Sequence, residues 1–284
     1  MRIALLALLC CLSLPALANP YATMSAPELR RAIGEVPAVF QENWYQIEIL
    51  AFSRKQPISD EYWRLDQQPD LNRAALIRPD SETPQIPEHA DRIDNQAVSY
   101  GAWRPLEGAL PLANTAEQMR RAGDRILAHR AWRQPVRERA QAFAVLIEGG
   151  TILAQPTPET DSDSAMPAAP IPATDAGGRF TTLPPLETSE DDSAAPEIRE
   201  LQGALRFHLS RYLHLEPILW FGKDNAAGQR IWVKIDQNRR MRSEELHYLD
   251  HPLFGLLVRI TPWKHPEQKK LDELKAALKS KETR

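Results

Sequence analysis

Between Gln155 and Glu197 the chain changes character, and that change limits the architectures open to it. The stretch carries eight prolines (Pro156, Pro158, Pro167, Pro170, Pro172, Pro184, Pro185 and Pro196) among alanine, serine, threonine and aspartate. Proline removes a backbone donor and fixes φ, so a run this dense supplies neither a helix interior nor a central strand. Too few large apolar residues remain to offset the entropy of ordering. We therefore read 155–197 as a disordered, acidic, Pro-rich insertion. It divides one α+β domain into a first half, residues 19–154, and a second half, residues 198–264, followed by a charged helix over 265–284. Its nine acids face only Arg179, so it holds a charge of −8 within a chain of net −3. Without the insertion and the leader considered next, the remainder stands at +4. A mildly basic folded surface suits an anionic partner, yet falls short of the strong basic excess of a nucleic-acid binder.

Met1-Arg2 precedes a nearly unbroken apolar run from Ile3 to Leu17, with Ala16-Leu17-Ala18 at its end. A short positive start, an apolar stretch of this length and small residues at the two positions a signal peptidase reads predict an export signal over 1–18. The run is short for a permanent span, so no stable membrane insertion is expected. Cys10 and Cys11, the two cysteines of the chain, fall in this segment. Neither follows the small residue that bacterial lipidation requires. The exported form is then free of thiols and suited to an oxidising compartment, the bacterial periplasm.

The pattern elsewhere is α+β: a mainly antiparallel sheet with one or two helices packed on one face. Ser25 and Glu28 have capping-box spacing and predict a helix from about 26. Residues 44–52 read as a strand, rich in aromatic and β-branched types. Thr115 and Gln118 predict a second helix running to about 130, with Met119, Ala122, Ile126 and His129 or Arg130 on one face. Further strands are predicted over 143–153, 201–215, 218–221, 231–241 and 256–263, with turns at Gly149-Gly150 and between Gly222 and Gly228. Short links between successive strands favour antiparallel pairing.

No phosphate-binding glycine loop, nucleophile elbow or zinc-protease helix occurs in the chain, and no cofactor is expected. The densest polar stretch is 239–255, between two predicted strands. Three functional readings compete there. His247, Asp250 and His251 could hold a metal, although Pro252 argues against a helix that would align them. Glu244, Glu245 or Asp250 could form the carboxylate pair of a glycosidase. Arg239, Arg240 and Arg242 could fork onto carboxylates while Tyr248 stacks on a sugar or peptide plane. The structural alternative is an internal ion-pair network fixing a long connection. A second patch, Trp132 with Arg133 just past the second helix, reads equally as an anion site or as a helix-end cap.

Four blocks carry a resemblance. Trp44-Tyr45-Gln46-Ile47-Glu48-Ile49, His129-Arg130-Ala131-Trp132-Arg133-Gln134-Pro135, Arg211-Tyr212-Leu213-His214-Leu215 and Arg240-Met241-Arg242-Ser243-Glu244-Glu245-Leu246-His247-Tyr248-Leu249-Asp250-His251-Pro252-Leu253-Phe254-Gly255 resemble, in order, the CsiV family. That resemblance implies a periplasmic peptidoglycan-binding protein with no catalytic residues, tied to cell-wall biogenesis and cell shape. It also implies partners: peptidoglycan, an LpoA-type outer-membrane lipoprotein and the class A penicillin-binding protein that the lipoprotein activates. The family pattern often has glycine where this chain has Glu244. Two alternatives remain at this point: a wall glycan hydrolase, and a protein–protein adaptor without wall affinity.

Overall fold

The computed structural model describes residues 19–55, 66–108, 110–153, 197–225 and 228–283. The proposed export signal and the Pro-rich insertion up to residue 196 lie outside the described residues.

Strand β1 (Asn43–Ser53) buries both of its faces. Side chains alternate along a strand, so Ile47, Ile49 and Ala51 enter the main core while Leu50 joins Leu112 and Ala116 on the other side. The partner on that outer side is helix α3 (Ala113–Ala122). β1 lies between β2 (Arg125–Val136) and β9 (Phe254–Pro262), and β8 (Leu246–Asp250) completes a sheet of order β2-β1-β9-β8, antiparallel throughout.

A second antiparallel sheet runs β3 (Ala144–Ile152), β4 (Arg199–Leu209), β5 (Leu213–Asp224), β6 (Arg230–Ile235). Short β7 (Arg239–Met241) pairs with the first residues of β5, Leu213–Leu215, whereas β6 pairs with Leu219–Asp224. Residues 216–218 face the gap between β6 and β7. Pro217, which has no N–H to give to a ladder, sits in that gap.

The inner faces share one core. Ile47, Ile49 and Val258 from the first sheet meet the cluster of Leu205, Leu215 and Phe221 from the second. Helices α1 (Ala26–Glu35) and α4 (Pro266–Glu282) pack on each other and add Leu29, Leu271, Leu274 and Ala277 to it. Each such leucine contributes about 1.5–3 kcal/mol by leaving water. Helix α2 (Arg92–Ser99) starts at Asp91, whose carboxylate accepts the N–H groups of Ile93 and Asp94.

The mixed α+β class and the antiparallel pairing stand as read. There are two sheets where one was expected, and among the described residues a helix, α2, joins the three that were expected near 26, 115 and 265. The helix expected to run to about 130 ends at Ala122. Gly123 adopts φ 99°, and the N–H groups of Gly123 and Asp124 return to the carbonyls of Arg120 and Met119, closing the helix. Ile126, His129 and Arg130 are therefore strand residues of β2. The expected strand over 201–215 is two strands joined at Ser210–Tyr212, and the piece at 218–221 is the middle of β5. Residues 231–241 likewise divide into β6 and β7. Gly149-Gly150 is not a turn: both lie in β3. A Cβ on Gly149 would stand 2.2 Å from the carbonyl oxygen of Leu127, so β3 and β2 approach too closely for any side chain there. Gly222 likewise belongs to β5.

Candidate functional site

The polar stretch 239–255 is not a free loop. It begins in the second sheet as β7, crosses to the first sheet and pairs there as β8. Local bonds fix the crossing. Glu244 adopts φ 69° and gives its N–H to the Ile260 carbonyl at 2.7 Å. The N–H of Arg242 donates to Nε2 of His247 at 3.1 Å, and the Arg242 guanidinium reaches Glu245 at 3.5 Å.

The ten singled-out residues separate into distinct groups. Arg239 and Arg240 are exposed on β7. The Arg240 guanidinium lies 4.8 Å from the ring centroid of Tyr212, and Arg211 approaches the same ring at 5.8 Å. Tyr212 is 46% exposed, so a tyrosine ring and the Arg211 guanidinium at the β4–β5 turn, with the Arg240 guanidinium from the adjacent β7, are presented at the surface.

Tyr248 and Asp250 form a second group on β8, together with a residue that sequence reasoning missed, Arg54. The guanidinium of Arg54 bonds both the Tyr248 hydroxyl and the Asp250 carboxylate, and the Tyr248 hydroxyl donates to Asp250 Oδ1 at 2.5 Å. Tyr248 also stacks on Phe52, with centroids 6.2 Å apart. Burial, then the bond to Asp250, pushes the Tyr248 phenol up to about 12. Burial works against the Asp250 charge, but the bonds from Tyr248 and Arg54 outweigh it and hold the carboxyl below its usual range. Asp250 is thus kept as a carboxylate, the opposite of what a general acid needs.

His247 spends its ring on Arg242, and Nδ1 of His251 accepts the Leu253 N–H at 3.2 Å. No three His, Asp or Glu residues converge to hold a metal ion among the described residues.

Trp132 and Arg133 are not at a helix end; they lie within β2. Trp132 is 1% exposed, sets its ring edge-on to Phe207 and donates Nε1 to Gln134 at 2.7 Å, which makes it a core residue. Arg133 is half-buried with its guanidinium 4.3 Å from the Trp263 ring centroid, and burial lowers its pKa.

A pocket of about 350 Å³ opens where the two sheets meet, and Arg54 belongs to it along with Lys55, Arg125, Lys223 and Glu200. Arg125 grips Glu200 with two bonds of 2.7 and 2.5 Å. These residues lie at the ends of separate strands. No local motif joins them, and only the sheet pairing brings them together.

Among the described residues, the geometry defines a two-sheet α+β protein whose singled-out charged groups are tied to one another or presented at the surface. This chain belongs to the CsiV family: the family's sequence model, described as "Peptidoglycan-binding protein, CsiV", matches residues 25–263, which include every described strand. Comparison with curated proteins and with solved structures finds no match.

Proposed function

We propose that this is an exported, non-enzymatic peptidoglycan-binding protein of the periplasm. It supports cell-wall biogenesis and cell shape by aiding activation of a class A penicillin-binding protein through an LpoA-type outer-membrane lipoprotein. Membership of a peptidoglycan-binding family supports wall affinity. The leader-like first eighteen residues support export, and among the described residues no helix is long and apolar enough to cross a membrane.

The observation that carries the reading is the exposed set of Arg240, Tyr212 and Arg211. A half-exposed tyrosine ring can meet a sugar ring or peptide plane, and the guanidinium groups beside it fork onto carboxylates. Both needs of a wall ligand are met on one patch, formed by the β4–β5 turn and the β7 strand paired beside it. Arg54 and Tyr248 already occupy the Asp250 carboxylate, which favours a binding role over use of that carboxylate in glycan hydrolysis.

Purified protein incubated with sacculi tests this. The expected result is retention on the wall after washing, with no new soluble muropeptides. Release of fragments would make it a hydrolase. Failure to be retained, with capture of the lipoprotein activator intact, would make it an adaptor without wall affinity.

A further inference from the structure

The pocket at the seam of the two sheets has an unequal division of charge. Arg54 and Lys55 enter it from the end of β1, Arg125 from the start of β2 and Lys223 from β5, over an apolar wall of Phe221 and Leu253. Glu200 is the one carboxylate in that lining. It is already spent on Arg125 and on the N–H of Thr151 at 2.8 Å. Arg54 is equally committed to Asp250, Tyr248 and the His251 carbonyl. Lys55 and Lys223 differ. Both are exposed, and neither ammonium pairs with a carboxylate among the described residues. Lys55 is steered by its neighbour: a Cβ on Gly123 would lie 2.6 Å from the Lys55 Cδ, so the glycine that ends α3 leaves room for that stem.

The result is two neutralised, fixed arginines flanking two unspent ammonium groups beside an apolar surface. Such a site favours a small ligand bearing more than one anionic oxygen, because two exposed ammonium groups can each pair with one carboxylate or phosphate oxygen set. In peptidoglycan the free carboxylates belong to the stem peptide, while the sugar rings are uncharged.

We infer that the seam pocket takes the free carboxylates of a stem peptide, with Lys55 and Lys223 as the ion-pairing groups; this rests on the wall-binding reading and assigns it a second contact. The Arg240–Tyr212 surface and the pocket then recognise different parts of the same polymer.

Calorimetric titration of the full chain with a soluble disaccharide-tetrapeptide tests the inference. The Lys55→Gln/Lys223→Gln double variant should bind at least roughly tenfold more weakly than the unaltered protein, with the melting curve unchanged because both side chains are exposed. The Lys55→Arg/Lys223→Arg variant should retain binding. The same muropeptide with its carboxylates converted to methyl esters should lose affinity to a similar extent. Equal binding by the double variant, or by the esterified ligand, overturns the pocket assignment while leaving wall affinity intact. Binding of inorganic phosphate more tightly than the muropeptide overturns it in favour of a phosphate-bearing ligand. If the unaltered protein binds neither the muropeptide nor sacculi, the wall reading fails and the pocket assignment fails with it.

Discussion

Arg54 forms an ion pair with Asp250, tying the end of β1 to the end of β8 across 196 positions of sequence. β9 stands between those strands, so the guanidinium bridges the turn that joins β8 to β9. It also donates Nε to the His251 carbonyl at 3.4 Å, while the Arg54 N–H donates to the Leu253 carbonyl at 3.0 Å. The polar density of the 239–255 stretch is therefore partly internal: Asp250 and His251 hold a turn, and the arginines of β7 remain outward.

Alkaline stability should report this network. The Tyr248 phenol is pushed to about 12 by burial and by its bond to Asp250, against an ordinary value near 10 in the unfolded chain. Between those values the folded state holds a proton that the unfolded state has released, so stability is complete below about pH 10 and falls as pH rises toward 12. Denaturant melts across that window should show the fall, and Tyr248→Phe should flatten it. An equal slope in the variant would place the titration elsewhere.

On the acid side the sensitive point is Arg137, whose side chain is 4% exposed and bonds Asp91 at 2.7 Å and Asp94 at 3.1 Å. Burial opposes ionisation of Asp91, but bonds from Arg137 and from the N–H groups of Asp94 and Ile93 bring its pKa down to about 2. Its contribution is present above the ordinary aspartate value near 4 and is lost as pH falls toward 2. Arg137→Ala removes the cation and leaves buried carboxylate unpaired, at a cost of about 3–5 kcal/mol. Chemical denaturation at neutral pH measures that loss, and a change under 1 kcal/mol would contradict the account.

Glu244 holds a left-handed backbone, φ 69°, a conformation that glycine adopts at far lower cost. A side chain there is strained by about 1–2 kcal/mol, of which part is returned because glycine is freer in the unfolded chain. Glu244→Gly should therefore raise stability by about 0.5–1 kcal/mol, read as a higher midpoint in thermal melting. A lower midpoint would mean that the glutamate side chain makes a contact worth more than the strain.

Trp132 should behave as core and not as a ligand platform. Trp132→Ala should cost about 3–5 kcal/mol, the range for truncating a large buried aromatic. Trp132→Phe should preserve folding and wall retention together. A phenylalanine variant that melts normally yet loses the wall would return Trp132 to the binding surface.

What the sequence showed and what it hid follow from how local each signal is. The capping box at Ser25, the β-rich run of β1 and the charged helix at α4 depend on neighbours a few residues apart, and all three were legible. The helix expected to run through Ile126 and His129 failed because a helical spacing of apolar residues continued by coincidence past Gly123, where the backbone turns left-handed. The two-sheet arrangement was hidden because β1 is buried on both faces, which erases the alternation that shows which face meets which sheet. Among the candidate residues, Arg239, Arg240, Tyr248 and Asp250 were singled out from residue type alone, but the bond that joins Tyr248 to Asp250 was not read. Arg54, Lys55, Arg125 and Lys223 were not singled out, since they come together only where the ends of three strands, β1, β2 and β5, meet.

The most direct measurement is co-sedimentation with purified sacculi of the unaltered protein and of the Arg240→Ala/Tyr212→Ala double variant. Both substitutions remove exposed groups, so the melting curves should coincide. The account predicts that the unaltered protein pellets with the wall after washing and that the double variant stays largely in the supernatant. Equal retention of the two, or no retention of either, would contradict it.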